Sequence, residues 1–231
     1  MENDVWLILI ALIAFLVGSL PSSYLVTRKL SGKDIRSEGT GNIGAMNAFR
    51  AIETEKSAKL GAIGFALVLI ADTGKGALAI FAARWLALLG YDLGFALIIG
   101  SFFVVLGHNY SIFFKFKRGG RGIACLLGIL LALDWPLFFV WGGVILVSTF
   151  LAQNLLVGKI DWSKFPQVFS VLGTQIVGRV GGIIIALVPL YFLNSQFFLP
   201  ITAATFLLVI KHIARVKNYI GELKVPSQKV G

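Results

Sequence analysis

The chain has 231 residues, of which 57% are hydrophobic and only 14% charged. Soluble domains run to about half apolar and a quarter charged, so this balance excludes an ordinary soluble domain and points to a polytopic membrane protein. The 21 Lys and Arg against 11 Asp and Glu give a net charge of +10, but the basic residues stand in short stretches between apolar runs, where they set topology and meet anionic lipid headgroups rather than nucleic acid.

The first apolar run, Val5 to Val26, is too long for a typical signal-peptide h-region and has no basic stretch before it, so it is expected to stay as a span. A span needs roughly 20 apolar residues. The candidates in chain order are 5–27, 59–89, 92–114, 122–134, 136–157, 167–193 and 196–213. The expected fold is all-α: one integral membrane bundle over 1–231 with about seven transmembrane helices, or five or six if a short segment is re-entrant. The second span carries Asp72 and Lys75 and the sixth carries Arg179, and charges within spans usually face a functional interior or a structural ion pair. Cys125, the single cysteine, lies in the fourth and excludes an intramolecular disulfide and a cysteine metal cluster.

Alternating loops place 28–58, 115–121, 158–166 and 214–231 on one side, and all Lys and Arg except Lys75, Arg84 and Arg179 fall there or at the adjoining helix ends. The positive-inside rule then puts the N-terminus outside and the C-terminus in the cytoplasm. The same alternation gathers three polar segments at the cytoplasmic face. The first is Gly39-Thr40-Gly41-Asn42-Ile43-Gly44-Ala45-Met46-Asn47-Ala48-Phe49-Arg50. Its glycines permit a concave array of N–H groups that would bind an anion, although the composition is equally that of a flexible connection. The second is Gly107-His108-Asn109-Tyr110 with Lys115-Phe116-Lys117-Arg118-Gly119-Gly120-Arg121-Gly122. Here a basic glycine loop opens into an apolar helix, whose N-terminus favours a phosphate; the spacing is not that of a Walker A loop. The third, Lys211 to Glu222, sets His212, Arg215 and Tyr219 on one helix face.

Together these segments resemble the PlsY family of bacterial integral-membrane acyl-phosphate:glycerol-3-phosphate acyltransferases, over essentially the whole chain. Gly18-Ser19-Leu20-Pro21-Ser22 is similar to the family's Gly-Ser-Ile-Pro opening, and Asp34-Ile35-Arg36 followed by Gly39 to Asn47 and Arg50 is similar to its Gly-Ser-Gly-Asn-x-Gly-Ala-Thr-Asn loop. Asp72 and Lys75-Gly76 match its Asp-x-x-Lys-Gly, Gly107-His108 and Phe116-Lys117 onward resemble its second motif, and His212 with Gly221-Glu222 its third. The chain departs from the pattern in four places. Thr40 stands for Ser, Gly119-Gly120-Arg121-Gly122 replaces Gly-Gly-Lys-Gly after one extra basic residue, Arg215 stands for the third motif's Asn, and the Gly-Glu pair comes one residue early. These mark a divergent member, and a paralogue with weakened activity is the corresponding alternative.

The resemblance implies acyl transfer from an acyl phosphate in the bilayer to the sn-1 hydroxyl of glycerol 3-phosphate, giving lysophosphatidate in the first step of phospholipid synthesis at the bacterial plasma membrane. It implies catalytic roles for Thr40, Arg50, Arg121 and His212. Substrate binding is expected of Gly39, Gly41, Asn42, Gly44, Asn47, Lys75, His108, Arg118, Gly119, Gly120, Gly122 and Arg215. Membrane lipids are expected partners, with no metal, cofactor, nucleic acid or obligate protein partner. Neither histidine has Asp five residues on, since Phe113 and Lys217 stand there, so the His-x4-Asp device of other glycerolipid acyltransferases is absent. The competing reading is a transporter of a phosphorylated or anionic solute, which calls for midplane polar residues in several spans and often an inverted repeat.

Overall fold

The computed structural model describes residues 2–163 and 165–224, with the side chains of 2–4, 165–167, 169, 214 and 222–224 outside that description. The third motif's Glu222 side chain is among those. The described residues hold eleven α-helices and no strand. In chain order they are α1 (Glu2–Ser19), α2 (Ser22–Ser31), α3 (Ala45–Glu55), α4 (Ala58–Leu88), α5 (Leu93–Asn109), α6 (Ile123–Leu133), α7 (Trp135–Leu156), α8 (Phe165–Thr174), α9 (Ile176–Ile185), α10 (Leu187–Leu193) and α11 (Phe198–Lys224).

Among the described residues, six stretches are long and apolar enough to cross a membrane: Val5–Ser31, Ala58–Leu88, Leu93–Phe114, Trp135–Leu156, Ile176–Leu193 and Ser195–Ile213. The fourth expected span is the short helix α6, whose 11 residues rise only about 16 Å, roughly half the hydrocarbon thickness. Its last carbonyl, Leu133 O, accepts from Arg84 Nη2 at 2.8 Å. The sixth expected span, 167–193, is broken. Gln175 ends α8, and its side chain accepts from Val177 N to cap α9.

Packing rests on glycine. Lipid tails are as apolar as leucine, so helices in a bilayer associate where small residues let backbones touch. A Cβ at Gly18 would lie 2.1 Å from Val104 O, and one at Gly107 would lie 2.1 Å from Phe15 O. This reciprocal contact locks α1 to α5. The pair runs parallel, with Trp6 against Tyr91 at one end and Ser19 Oγ donating to Gly107 O at the other. Gly76 and Gly128 do the same for α4 and α6, against Cys125 O at 2.0 Å and Thr73 O at 1.8 Å. Ile80, Leu97, Val104, Leu126, Ile129 and Trp141 fill the core between these pairs, while Ile8, Ile70, Phe95, Val147 and Phe206 stand exposed for lipid. The two locked pairs fix the ends of α1 and α5, the middle of α4 and the start of α6 as one frame, and α11 packs along α5 and α9 to close it.

Residues 28–58, read as a connecting loop, contain helices at both ends. α2 runs to Ser31, and α3 begins at Ala45 within the glycine motif, packing on α4 and α2. Asn47 and Arg50 are therefore helical residues.

Candidate active site

The first glycine segment is a built loop. Gly39 and Gly41 take φ of +50° and +64°, a left-handed conformation that costs L-residues but not glycine. Asn47, buried at the start of α3, braces the turn from inside: its Nδ2 donates to Glu38 O (2.9 Å) and Ile35 O (3.3 Å), and its Oδ1 accepts from Thr40 N (3.3 Å). The loop's flank is held by Asp34, whose carboxylate takes Arg36 Nε at 2.9 and 3.0 Å. The Arg36 hydrogen bonds pull the Asp34 pKa down to about 2. Thr40 is left exposed at the tip. Asn47→Ala strips three backbone groups of their partners at once. It is expected to lower the unfolding free energy by about 1–3 kcal/mol, seen as a lower melting temperature of the detergent-solubilised protein.

The second segment explains its own glycines. Cβ atoms at Gly119 and Gly120 would lie 2.4 Å from His108 O and 1.9 Å from His108 Nε2, and one at Gly122, itself at φ +82°, would meet Leu208 and Val105. The loop thus folds directly onto the end of α5, with Gly120 N donating to His108 O at 2.9 Å. It also joins the first segment: Ile43 N donates to Gly119 O at 3.3 Å and Arg118 Nη1 to Arg36 O at 2.7 Å.

Beneath the junction lies a buried polar knot. Lys75 Nζ donates to Asp72 Oδ1 (2.7 Å), Ser22 Oγ (2.8 Å) and Leu20 O (2.6 Å), using all three of its protons. Ser22 Oγ donates to Asp72 Oδ1 at 2.5 Å, and His108 Nδ1 stands 3.8 Å from the same oxygen. The α1–α2 break at Pro21 brings Leu20 O and Ser22 to this point. Lys75, expected among substrate-binding residues, is 4% exposed and ties α1, α2 and α4 together.

On α11, His212 is fully buried, and Arg215 Nη2 donates to Gly173 O at 3.0 Å. Tyr219 receives Gln175 Nε2 at 3.2 Å, so the expected common face of His212, Arg215 and Tyr219 meets the α8–α9 junction. His212 Nδ1 lies 2.7 Å from Leu208 O. A carbonyl only accepts, so Nδ1 carries the proton and, in the neutral ring, Nε2 presents a lone pair. That Nε2 is buried and has no hydrogen-bond partner. Arg50 Nη2 approaches the same glycine, lying 2.6 Å from where a Gly173 Cβ would be. Arg121 feels all of this. Burial, followed by the nearby Arg215, Arg179 and Arg50 guanidiniums, pulls its pKa down to about 9. Among the described residues the ion pairs lie elsewhere, at Lys33, Arg36, Lys75 and His108, and none involves Arg50, Arg121 or Arg179. Such a convergence of cations is stabilised by an anion.

Two clefts of opposite character open at this point. A polar one of ≈ 470 Å³ is walled by Thr40, Asn42, Lys117, Arg118, Arg121 and Lys211, with Gly39, Gly41 and Gly119 supplying backbone. An apolar one of ≈ 230 Å³ runs between Phe65, Leu69, Ile123, Ile145, Leu146 and Leu172 and holds Gly44, His108, Gly122, Arg179 and His212. Asn42 and Arg121 line both. Of the residues singled out in the sequence, Asn47, Lys75 and Gly120 support the walls, and Arg50 and Arg215 stand behind Arg121 at Gly173. Arg36, Lys117 and Lys211 enter the polar cleft without having been singled out as site residues. Arg36 and Lys117 stood within the motifs quoted for the family resemblance, and Lys211 opened the third polar segment, but none was assigned a role.

A protein-family model described as glycerol-3-phosphate acyltransferase matches residues 8–222. The glycerol-3-phosphate acyltransferase of Carboxydothermus hydrogenoformans is 35% identical over 189 residues, 80% of this chain and 88% of the relative. That of Jannaschia sp. (strain CCS1) is 46% identical over 129 residues, 56% of this chain and 57% of the relative. Among solved structures, PlsY, an integral membrane glycerol 3-phosphate acyltransferase, superposes in its glycerol 3-phosphate form with a TM-score of 0.65 and 23% identity, covering 94% of this chain and 93% of that one. Its lysophosphatidic acid form gives 0.66 over the same shares. The likeness to these two structures is one of fold.

Proposed function

This chain belongs to the glycerol-3-phosphate acyltransferase family, and from that premise we propose that it moves an acyl group from an acyl phosphate to the sn-1 hydroxyl of glycerol 3-phosphate, working at the cytoplasmic face of a bacterial plasma membrane. It is an acyltransferase of phospholipid synthesis. The observation that carries the substrate pair is the meeting of a basic polar cleft and an apolar cleft at Arg121 and Asn42. Glycerol 3-phosphate is small, polar and dianionic, which suits the polar cleft and its Thr40, Asn42, Lys117, Arg118 and Lys211 lining. An acyl phosphate has a chain that suits the apolar cleft and a phosphate that suits the arginines at its mouth. The orientation rests on the basic loops, which the positive-inside rule assigns to the cytoplasm.

In this reading the sn-1 oxygen attacks the acyl carbonyl carbon and the carbonyl–phosphate C–O bond breaks. The hydroxyl proton ends on the departing phosphate, giving the ester and inorganic phosphate. Phosphate leaves readily, so positioning and charge stabilisation suffice. Arg121, common to both clefts, stabilises charge on the carbonyl oxygen and on the leaving phosphate. His212 Nε2 accepts a hydrogen bond from the attacking hydroxyl and so orients it. Arg50 and Arg215 add positive potential from behind. The polar side chains crowd one junction of the bundle and no internal repeat is visible in the sequence, which speaks against a transport pathway.

Donor choice tests this. Purified protein given labelled glycerol 3-phosphate and palmitoyl phosphate is expected to form lysophosphatidate, whereas palmitoyl-CoA, which carries no phosphate on its acyl carbonyl, is expected to give none. Equal rates from the thioester, or no product from the acyl phosphate with folded protein, would remove the donor assignment.

A further inference from the structure

Arg179 is an intramembrane charge to which the sequence assigns no role, and the described polar contacts do not account for all of it. It sits on α9, in the wall of the apolar cleft beside Arg121 and His212. One of its five N–H groups is used: Nη1 donates to Leu172 O, near the end of α8. That bond aims the guanidinium, because a carbonyl at a helix C-terminus favours a cation. Its Nε and Nη2 are buried and make no hydrogen bond. Arg121 and Arg50 lie close by, and among the described residues neither they nor Arg179 is ion-paired to a carboxylate. A guanidinium set in the wall of an apolar cavity, with two buried donors unused, matches a bidentate oxyanion ligand that arrives attached to a hydrocarbon chain.

Resting on the substrate assignment above, we propose that Arg179 binds the phosphate of the chain-bearing substrate, making it a donor-specific residue separate from the cleft that takes glycerol 3-phosphate. The chemistry of the two amphiphiles in the reaction selects the donor. In an acyl phosphate the anion is bonded to the carbonyl at the head of the chain, so it lies where the apolar cleft begins. In lysophosphatidate three carbons separate ester from phosphate, and its anion extends toward the polar cleft. Arg179 stands within the apolar wall and does not line the polar cleft. During transfer its N–H groups hold two of the three phosphate oxygens not bonded to carbon, and they stay with inorganic phosphate once the C–O bond has broken.

The test compares wild type, Arg179→Met and Arg179→Lys in detergent. With palmitoyl phosphate as the varied substrate, Arg179→Met is expected to raise KM about tenfold or more, with KM for glycerol 3-phosphate within about twofold and the melting temperature retained; Arg179→Lys recovers part of the loss. An unchanged donor KM, or equal rises in both KM values with a lower melting temperature, would overturn the proposal. A second arm needs no turnover. Binding of hexadecylphosphonate, which carries its anion at the head of the chain, is expected to weaken about tenfold in Arg179→Met while lysophosphatidate binding holds. Equal weakening of both ligands would assign Arg179 to any lipid phosphate and overturn donor specificity. A wild-type protein that binds the phosphonate through Arg179 but makes no lysophosphatidate would refute the transfer reading and leave this binding site standing.

Discussion

Arg121→Met is expected to lower kcat/KM for acyl transfer by about a hundred- to a thousand-fold, the range seen when a preorganised charge-stabilising donor is removed. Arg121 is the charged side chain that, with Asn42, lines both clefts, so it serves whichever phosphate is held and the carbonyl between them. The substitution does not threaten the fold. Burial and the Arg215, Arg179 and Arg50 guanidiniums already disfavour its charge, so an apolar replacement relieves repulsion and the melting temperature should hold or rise. Arg121→Lys keeps the charge and should recover much of the rate. Loss of activity accompanied by unfolding, or no loss, would show that Arg121 is a structural or topogenic cation.

The second large effect is on stability. Asp72→Ala leaves Lys75 charged and buried with two hydrogen-bond acceptors in place of three, and takes an acceptor from Ser22. Breaking a buried ion pair on one side typically costs about 3–5 kcal/mol, enough to unfold a marginal membrane protein or abolish its expression. The double change Asp72→Ala with Lys75→Met removes the stranded charge and should restore part of the loss. If the double variant were no more stable than the single one, Lys75 would not be held chiefly by Asp72. The knot fixes the α1–α2 break against α4 and, through His108, the floor of the second glycine loop.

The all-helical membrane fold was legible because hydropathy and loop charge are strong signals, and the three polar segments were legible because glycine and basic residues are out of place between spans. What was hidden depended on distance between segments. Gly119, Gly120 and Gly122 read as an anion loop, but their steric reason is the end of α5, joined at Gly122 by Leu208 of α11, which no local pattern reveals. Lys75 read as a possible ligand because its three acceptors come from Leu20, Ser22 and Asp72, two of them more than 50 residues away. α3 was missed because its polar start, Ala45-Met46-Asn47, continues the composition of the loop. The break at Gln175 was missed inside an apolar run, and with it the meeting of Arg50 and Arg215 at Gly173 and the aim of Arg179.

The central claim is that two phosphates are held at one junction while only the acyl group crosses between them. The fate of a ³²P label in the donor tests it most directly. With [³²P]palmitoyl phosphate and unlabelled glycerol 3-phosphate, one inorganic [³²P]phosphate is expected for each lysophosphatidate formed, and none of the label in the lipid product. Label in the product would mean phosphoryl rather than acyl transfer, and phosphate release without lysophosphatidate would mean hydrolysis. Either would contradict the account.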